Sequence, residues 1–444
     1  MHVDPLYNET AHPSCHCRKA CAVAGATAHP YGQARCDPPE SLLDATIDAA
    51  KQVIPEPDLL LVPGDLVAHS ASSVDQTHTL FASVTHKIVS SFATTPCVIA
   101  VGNNDVWPDY SIDVRTRHRF ATHAETVARA CRIPDAAAAT LRRGGFYAVD
   151  TTARGPRLLV INTGFYSTSN NAPPLNATLS PDPLDQFAFM ERELATSAVS
   201  RRSVLIVGHA PPCLDYYDRQ PLWQEEYAAR YWSIVRRHAA VVVGQVYGHM
   251  HTNQYRVWSR DDWDDWSATE LAVMDGAAPP KDDAETSPPL LVFSAISPIF
   301  GNSPSFSVLH LRDADDERAR VRLDSVATYH ADFSAPPEGA TAPRFQLLYN
   351  TSSRFDHWAG QQREAITPAA AHSMSNGLYS LLAASFAADD ASWDLFHTDF
   401  AANGSMSSDR ACTTDAADDA VGDCKVCSGG CRLAWICLLT NGLS

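Results

Sequence analysis

Leu59-Leu60-Leu61-Val62-Pro63-Gly64-Asp65-Leu66-Val67-Ala68-His69 joins an unbroken apolar run to a glycine, an aspartate and, four residues later, a histidine. The run does not alternate with polar residues, so it reads as a strand covered on both faces. Gly64 ends the run, and Asp65 falls in the loop beyond it. The pattern recurs. Cys97-Val98-Ile99-Ala100-Val101 leads into Gly102-Asn103-Asn104-Asp105, and Val204-Leu205-Ile206-Val207 leads into Gly208-His209-Ala210-Pro211-Pro212. Val241-Val242-Val243 lies shortly before Gly248-His249-Met250-His251, and Leu158-Leu159-Val160-Ile161 precedes Asn162. Helical periodicity fills the intervals at 40–53 (after Pro38-Pro39), 74–92, 112–131, 183–198 and 222–238. Alternating strands and helices imply an α/β layered fold. In such folds ligands collect at loops beyond the carboxyl ends of strands, where all four motifs lie.

The residue types in those loops suit a metal centre. Asp65 offers a carboxylate able to bridge two cations, and Asn103 a neutral carbonyl oxygen. His209, His249 and His251 offer imidazole nitrogens. Mixed nitrogen and oxygen donors favour zinc, manganese or iron over a soft thiolate metal. Two such ions about 3.5–4 Å apart clamp a phosphoryl oxygen and acidify a bridging water. A single Gly-Asp or Gly-His pair is usually just a turn; four in order after strands point to a site. His12, His16, His29, His118, His357 and His397 are left as surface or core residues.

Bulk composition sets bounds. The 444 residues can hold one large domain or two ordinary ones, and the net charge of −17 argues against nucleic acid or an anionic membrane as partner. No apolar stretch approaches the ~20 residues of a membrane helix. Among the 12 cysteines, Cys15, Cys17, Cys21 and Cys36 crowd the start. Cys412, Cys424, Cys427, Cys431 and Cys437 crowd the end, and Cys97, Cys131 and Cys213 are scattered. Terminal clusters point to disulfides in an oxidising compartment; a zinc site around Cys424 and Cys427 is the rival reading. Sequons at Asn8, Asn176, Asn350 and Asn403 point the same way, to a secreted or lysosome-like location. Met1-His2-Val3-Asp4-Pro5 has no apolar signal-peptide core, so a missing N-terminal segment is expected. Gly276 to Pro289 reads as a surface loop and Ala335 to Gly339 as a linker. The expected organisation is a catalytic domain over 1–334 and a helical, cysteine-rich C-terminal subdomain over 345–444.

The chain resembles the calcineurin-like metallophosphoesterases, and within them the acid sphingomyelinase and acid sphingomyelinase-like phosphodiesterase branch. The branch is marked by His2-Val3-Asp4-Pro5-Leu6-Tyr7, Gly32 to Asp37, Gly64-Asp65 with His69, Gly208-His209-Ala210-Pro211-Pro212, Tyr247-Gly248-His249-Met250-His251 and Ser297 to Phe306. The resemblance covers roughly residues 2 to 330. It implies two mixed β-sheets sandwiched together and flanked by helices. It implies one metal held by His2, Asp65 and His251, and a second by Asp65, Asn103, His209 and His249, both most simply zinc. It also implies that His69 lies near the leaving group and protonates it.

Two departures matter. The family opens this site with Asp-x-His, so an aspartate and the first core strand are expected ahead of Met1. The family also reads Gly-Asn-His where this chain has Gly102-Asn103-Asn104. Asn104 can donate a hydrogen bond but cannot give up a proton, which shifts the expectation toward good leaving groups. Gly-Asn-Asn-Asp followed by Pro108 resembles the endopolyphosphatase sub-branch, whereas His251 does not follow it. No saposin-like segment is present in the sequence. The leading expectation is a phosphodiesterase that attacks phosphorus of sphingomyelin or of a soluble phosphodiester or nucleotide with metal-bound hydroxide, its substrate a small-molecule or polymeric phosphate ester or anhydride, and the protein a monomer. An endopolyphosphatase is the alternative, and a non-catalytic secreted binding protein is the alternative of another class.

Overall fold

A computed structural model describes residues 1–352, except 24, 70, 114–117, 152–154, 172–180, 216–219, 257–287, 314–320 and 332–341. Continuous apolar runs become short central strands: β1 (Leu60–Val62), β2 (Cys97–Ile99), β3 (Tyr147–Asp150), β4 (Arg157–Val160), β5 (Val204–Val207) and β6 (Val242–Tyr247). Next come β7 (Gln254–Arg256), β8 (Leu290–Val292), β9 (Ser305–Asp313), β10 (Val321–Ala331) and β11 (Phe345–Asn350). The helices are α1 (Glu40–Val53), α2 (Val74–Ser91), α3 (His118–Ala130), α4 (Asp135–Gly144), α5 (Gln186–Val199) and α6 (Glu225–Arg237).

The main sheet has the order β3-β4-β5-β6-β8-β7. Its inner strands β4, β5, β6 and β8 are parallel, while β3 and β7 run antiparallel at its edges. β1 and β2 form a separate parallel pair, and β9, β10 and β11 an antiparallel sheet. The second layer of the expected sandwich is thus two hydrogen-bonded pieces among the described residues. β10 packs on β6 and β2 on β4, and the Tyr147 hydroxyl of β3 bonds both the Ile99 N–H and its carbonyl on β2. β5 is buried at every residue, as its unbroken run Val204 to Val207 requires. A cavity of about 450 Å³ lies between β1 and β9, with Leu43, Ile47 and Ile88 in its walls and His2 and Asp65 at its margin.

Several sequence expectations shift. The helix expected from Ile112 begins at His118. Asn170 engages Ile112 at both its N–H and its carbonyl, which takes that residue out of a helical ladder. α4 and β3 were not expected. The boundary at 345 falls at the start of β11, which pairs with β10, so residues 345–350 belong to the three-stranded sheet and not to a helical unit. Cys97 and Cys131, read as scattered, form a disulfide that ties β2 to the residue after α3. Cys15–Cys21 and Cys17–Cys36 staple the N-terminal loop. Cys213 is buried and in no disulfide. The remaining C-terminal subdomain, Asn176, Asn403 and the cysteines from Cys412 onward lie outside the described residues, as do the 335–339 linker and most of the 276–289 loop. No helix among the described residues is long and apolar enough to cross a membrane.

Candidate metal centre

Two parallel pairs of strands, β1 with β2 and β5 with β6, end at one place. β1 delivers Asp65, β2 delivers Asn103 and Asn104, β5 delivers His209, and β6 delivers His249 and His251. Glycines let these loops touch backbone to backbone. A Cβ on Gly64 would sit 2.7 Å from the Gly102 nitrogen, and one on Gly102 would sit 2.0 Å from Asp65 Oδ1.

Asp105 fastens the first two loops together. It is fully buried, and its carboxylate accepts the N–H groups of Asp65 (2.9 Å), Leu66 (2.8 Å), Val67 (3.2 Å) and Gly102 (2.8 Å). Burial, with Asp65 nearby, pushes its carboxyl up to about 6. His123 Nε2 donates to the Asp105 carbonyl from α3, and its ring lies flat on Phe81. Sequence reasoning quoted Asp105 only as the end of a motif. Its role is non-local, so no spacing in the chain reveals it.

Asp65 is the hub. Its Oδ2 lies 3.0 Å from His209 Nε2 and 3.5 Å from His2 Nε2. Burial alone would raise the Asp65 carboxyl, but His209 and His2 outweigh it and hold it well below the usual carboxylate range. Asn104 steadies it from the other side, with its N–H on Oδ1 (2.8 Å) and its amide on Oδ2 (3.0 Å). Asn104 therefore orients a carboxylate here, whatever else it contacts. Asn103 Oδ1 lies 3.0 Å from His209 Nε2.

The nitrogens fall into two sets. Asp65, His209 and His249 offer ligand atoms within 4.8 Å of one another, and so do His2, His69 and His251. His209 Nδ1 donates to the Pro63 carbonyl (2.7 Å) and His2 Nδ1 to the Val67 carbonyl (3.1 Å), which leaves each Nε2 facing inward. A metal-ligating histidine is held in this way. In a neutral ring, His209 Nε2 turns a lone pair toward the oxygens of Asp65 and Asn103. Only a proton or a cation reconciles those acceptors. His251 Nδ1 is buried without a hydrogen-bond partner. The donor set therefore fits divalent ions. His209 is raised: burial opposes its charged form but Asp65 outweighs burial. Burial first, then His69, pushes His2 and His251 well down; burial and His209 push His249 down to about 3.

Four of these residues have left-handed backbone: His2 (φ 59°), Asp65 (φ 55°), His249 (φ 71°) and His251 (φ 57°). His69 stacks on His2 with ring centroids 4.0 Å apart and meets Phe300 edge-on at 5.8 Å. Its Nδ1 lies 3.0 Å from Asp37 Oδ1, a buried partner that the sequence reading placed only in a branch-marking stretch. Tyr110 adds a hydroxyl 3.4 Å from His249 Nε2. Of the sequons, Asn8 bonds Thr10 through its own side chain, and Asn350 ends β11.

The sequence profile of the calcineurin-like phosphoesterases matches residues 29–253. Human acid sphingomyelinase-like phosphodiesterase 3b is 28% identical over 384 residues, 84% of this chain and 76% of that protein. Mouse cyclic GMP-AMP phosphodiesterase SMPDL3A is 28% identical over 264 residues, 58% of each chain. Sphingomyelinase phosphodiesterase D of Dictyostelium discoideum is 25% identical over 280 residues, 62% of this chain and 57% of that one. The chain thus spans less than two thirds of the length of the last two relatives.

Proposed function

The chain belongs to the calcineurin-like phosphoesterase family, in the branch of its acid sphingomyelinase-like relatives, and we propose that it hydrolyses phosphodiesters with two divalent metal ions. The observation that carries this reading is Asp65, whose one oxygen faces His209 at 3.0 Å and His2 at 3.5 Å. A carboxylate so placed can serve two cations at once. His209, His249 and Asn103 would complete one site, and His2 and His251 the other. Imidazole-rich donors favour zinc. Bound there, the ions supply Lewis-acid charge and a water of lowered pKa.

The chain's own residues do the rest. Asp105 and Asn104 keep Asp65 from turning away, which fixes where the phosphate binds. His69, at the rim beside His2, gives a proton to the departing oxygen. Its side chain is 28% exposed, so solvent can restore that proton. Three disulfides and the named relatives favour an oxidising lumen or the exterior as the location. Because those relatives are named as phosphodiesterases and sphingomyelinases, the chain is read as a hydrolase rather than a binding protein.

Elemental analysis of purified protein, beside turnover of an activated aryl phosphodiester at acidic pH, tests this. Two metal equivalents with metal-dependent turnover are expected; absence of both would sink it. A second reading rests on Asn104, whose amide is committed to Asp65 and gives no proton. A phosphoanhydride needs little help in leaving, so polyphosphate is the competing substrate. Chain shortening on a gel, with a phosphodiester lipid and a cyclic dinucleotide left intact, would favour it.

A further inference from the structure

We propose that Asp37 is a positioning residue for His69, and that Asp37 and Ser297 together fix which imidazole nitrogen meets the departing oxygen. This rests on the hydrolase reading above and assigns a residue to it that lies outside both ligand sets.

Asp37 follows Cys36, which a disulfide ties to Cys17, so its backbone is anchored. Its side chain is buried at 5% exposure. Three donors bond it: the His69 backbone N–H on Oδ2 (2.9 Å), His69 Nδ1 shared between Oδ1 (3.0 Å) and Oδ2 (3.1 Å), and the Ser297 hydroxyl on Oδ1 (3.1 Å). Two of the three come from one histidine, from its main chain and its ring, so the carboxylate sets both the loop and the ring torsion. Ser297, itself fully buried, keeps the carboxylate from rotating. The ring is further confined by the face of His2 and the edge of Phe300.

The tautomer follows from the geometry. A carboxylate only accepts, so Nδ1 must carry hydrogen and Nε2 is the nitrogen left for proton transfer. In the step, the nucleophile–phosphorus bond forms and the phosphorus–oxygen bond to the leaving group breaks. The Nε2 proton moves to the departing oxygen, and Nδ1–H stays on Asp37. The ring is then neutral and takes its next proton from water. An asparagine at 37 could instead donate to Nδ1, holding the ring in the tautomer with its acidic position wrongly set, as in other His-carboxylate pairs.

The test varies the leaving group in full-length protein. Wild type, Asp37→Asn, Ser297→Ala and His69→Gln are assayed on two phosphodiesters that share one phosphoryl part, one losing nitrophenolate and one losing an alkyl alcohol. Metal content and thermal unfolding are measured beside them. Asp37→Asn is expected to lower kcat about 10²-fold on the alkyl ester with KM unmoved, and only about twofold on the nitrophenyl ester, matching the pattern of His69→Gln. Ser297→Ala should show the same selectivity at about three- to tenfold, and it carries the test if Asp37→Asn does not fold. Equal losses on both esters would make Asp37 merely structural and overturn the proposal. Loss of metal from His69→Gln would overturn it too, by making His69 a ligand of the His2 and His251 set. Wild-type protein inert on both esters would refute the hydrolase reading instead.

Discussion

His209, His249 and Asn103 gather around a carboxylate, whereas His2, His69 and His251 gather around one another. The residue type is the same, yet its behaviour varies within each set as well as between them: burial and His209 push His249 down to about 3, whereas His69 is raised because Asp37 outweighs burial. His209 is held above its ordinary range because Asp65 outweighs burial, while burial drives His2 and His251 well below theirs. Asp65 also lies nearer the first set, 3.0 Å against 3.5 Å. Burial together with neighbouring imidazoles thus makes neutral, ligand-ready rings, whereas a ring is charged only where a carboxylate outweighs burial. Asp65 reaches both sets, and Asp37 adds a second carboxylate at His69.

The comparison is broken most completely at the shared residue. Asp65→Ala should empty both sets and reduce turnover by more than about 10³-fold, read by metal content and phosphodiester assay. Next comes the scaffold beneath the carboxylate set. Asp105→Ala strands four buried N–H donors and should cost about 4 kcal/mol in urea unfolding, with both loops loosened. A loss below about 1 kcal/mol would show that the loops are held by packing alone.

A pH effect of similar origin is expected from His123, which supports Asp105. Burial pushes its imidazole down to about 4, from 6.5 in the unfolded chain. Between those values the unfolded chain binds a proton that the folded chain refuses. Stability from this residue is therefore complete above 6.5 and declines as pH falls toward 4, by about 3 kcal/mol at most. Denaturation at pH 7 and 4.5 should show the decline, and His123→Gln should make it shallower, the rest coming from the other buried histidines held down. The smallest effect sharpens the comparison directly. Chelator titration should strip one metal before the other, with the His2 set about tenfold weaker, or about 1.4 kcal/mol. His251→Ala should remove only that early phase, and His249→Ala only the late one. Simultaneous loss in all proteins would mean that the sets are one site.

Much of this was legible because it is local. Runs such as Val204 to Val207 announce buried strands, and a glycine followed by Asp or His announces a loop at their ends. What escaped was set by partners far away in sequence. Ile112 sits outside its helix because Asn170 engages its backbone. Phe345 to Asn350 is a strand because β10 offers an edge. Asp37 and Asp105 stand in motifs that were noticed, yet their work is on His69 and Asp65, 32 and 40 residues away. Cys97 found Cys131 only through the packing of α3 against the rest of the fold.

The left-handed backbone at His2, Asp65, His249 and His251 has a consequence for selection. A non-glycine residue there costs roughly 1–2 kcal/mol, which glycine would not incur. Random variants screened for heat resistance alone should therefore accumulate glycine at these four positions. Such a screen would choose, one by one, the side chains proposed to hold the metal ions, and discard them.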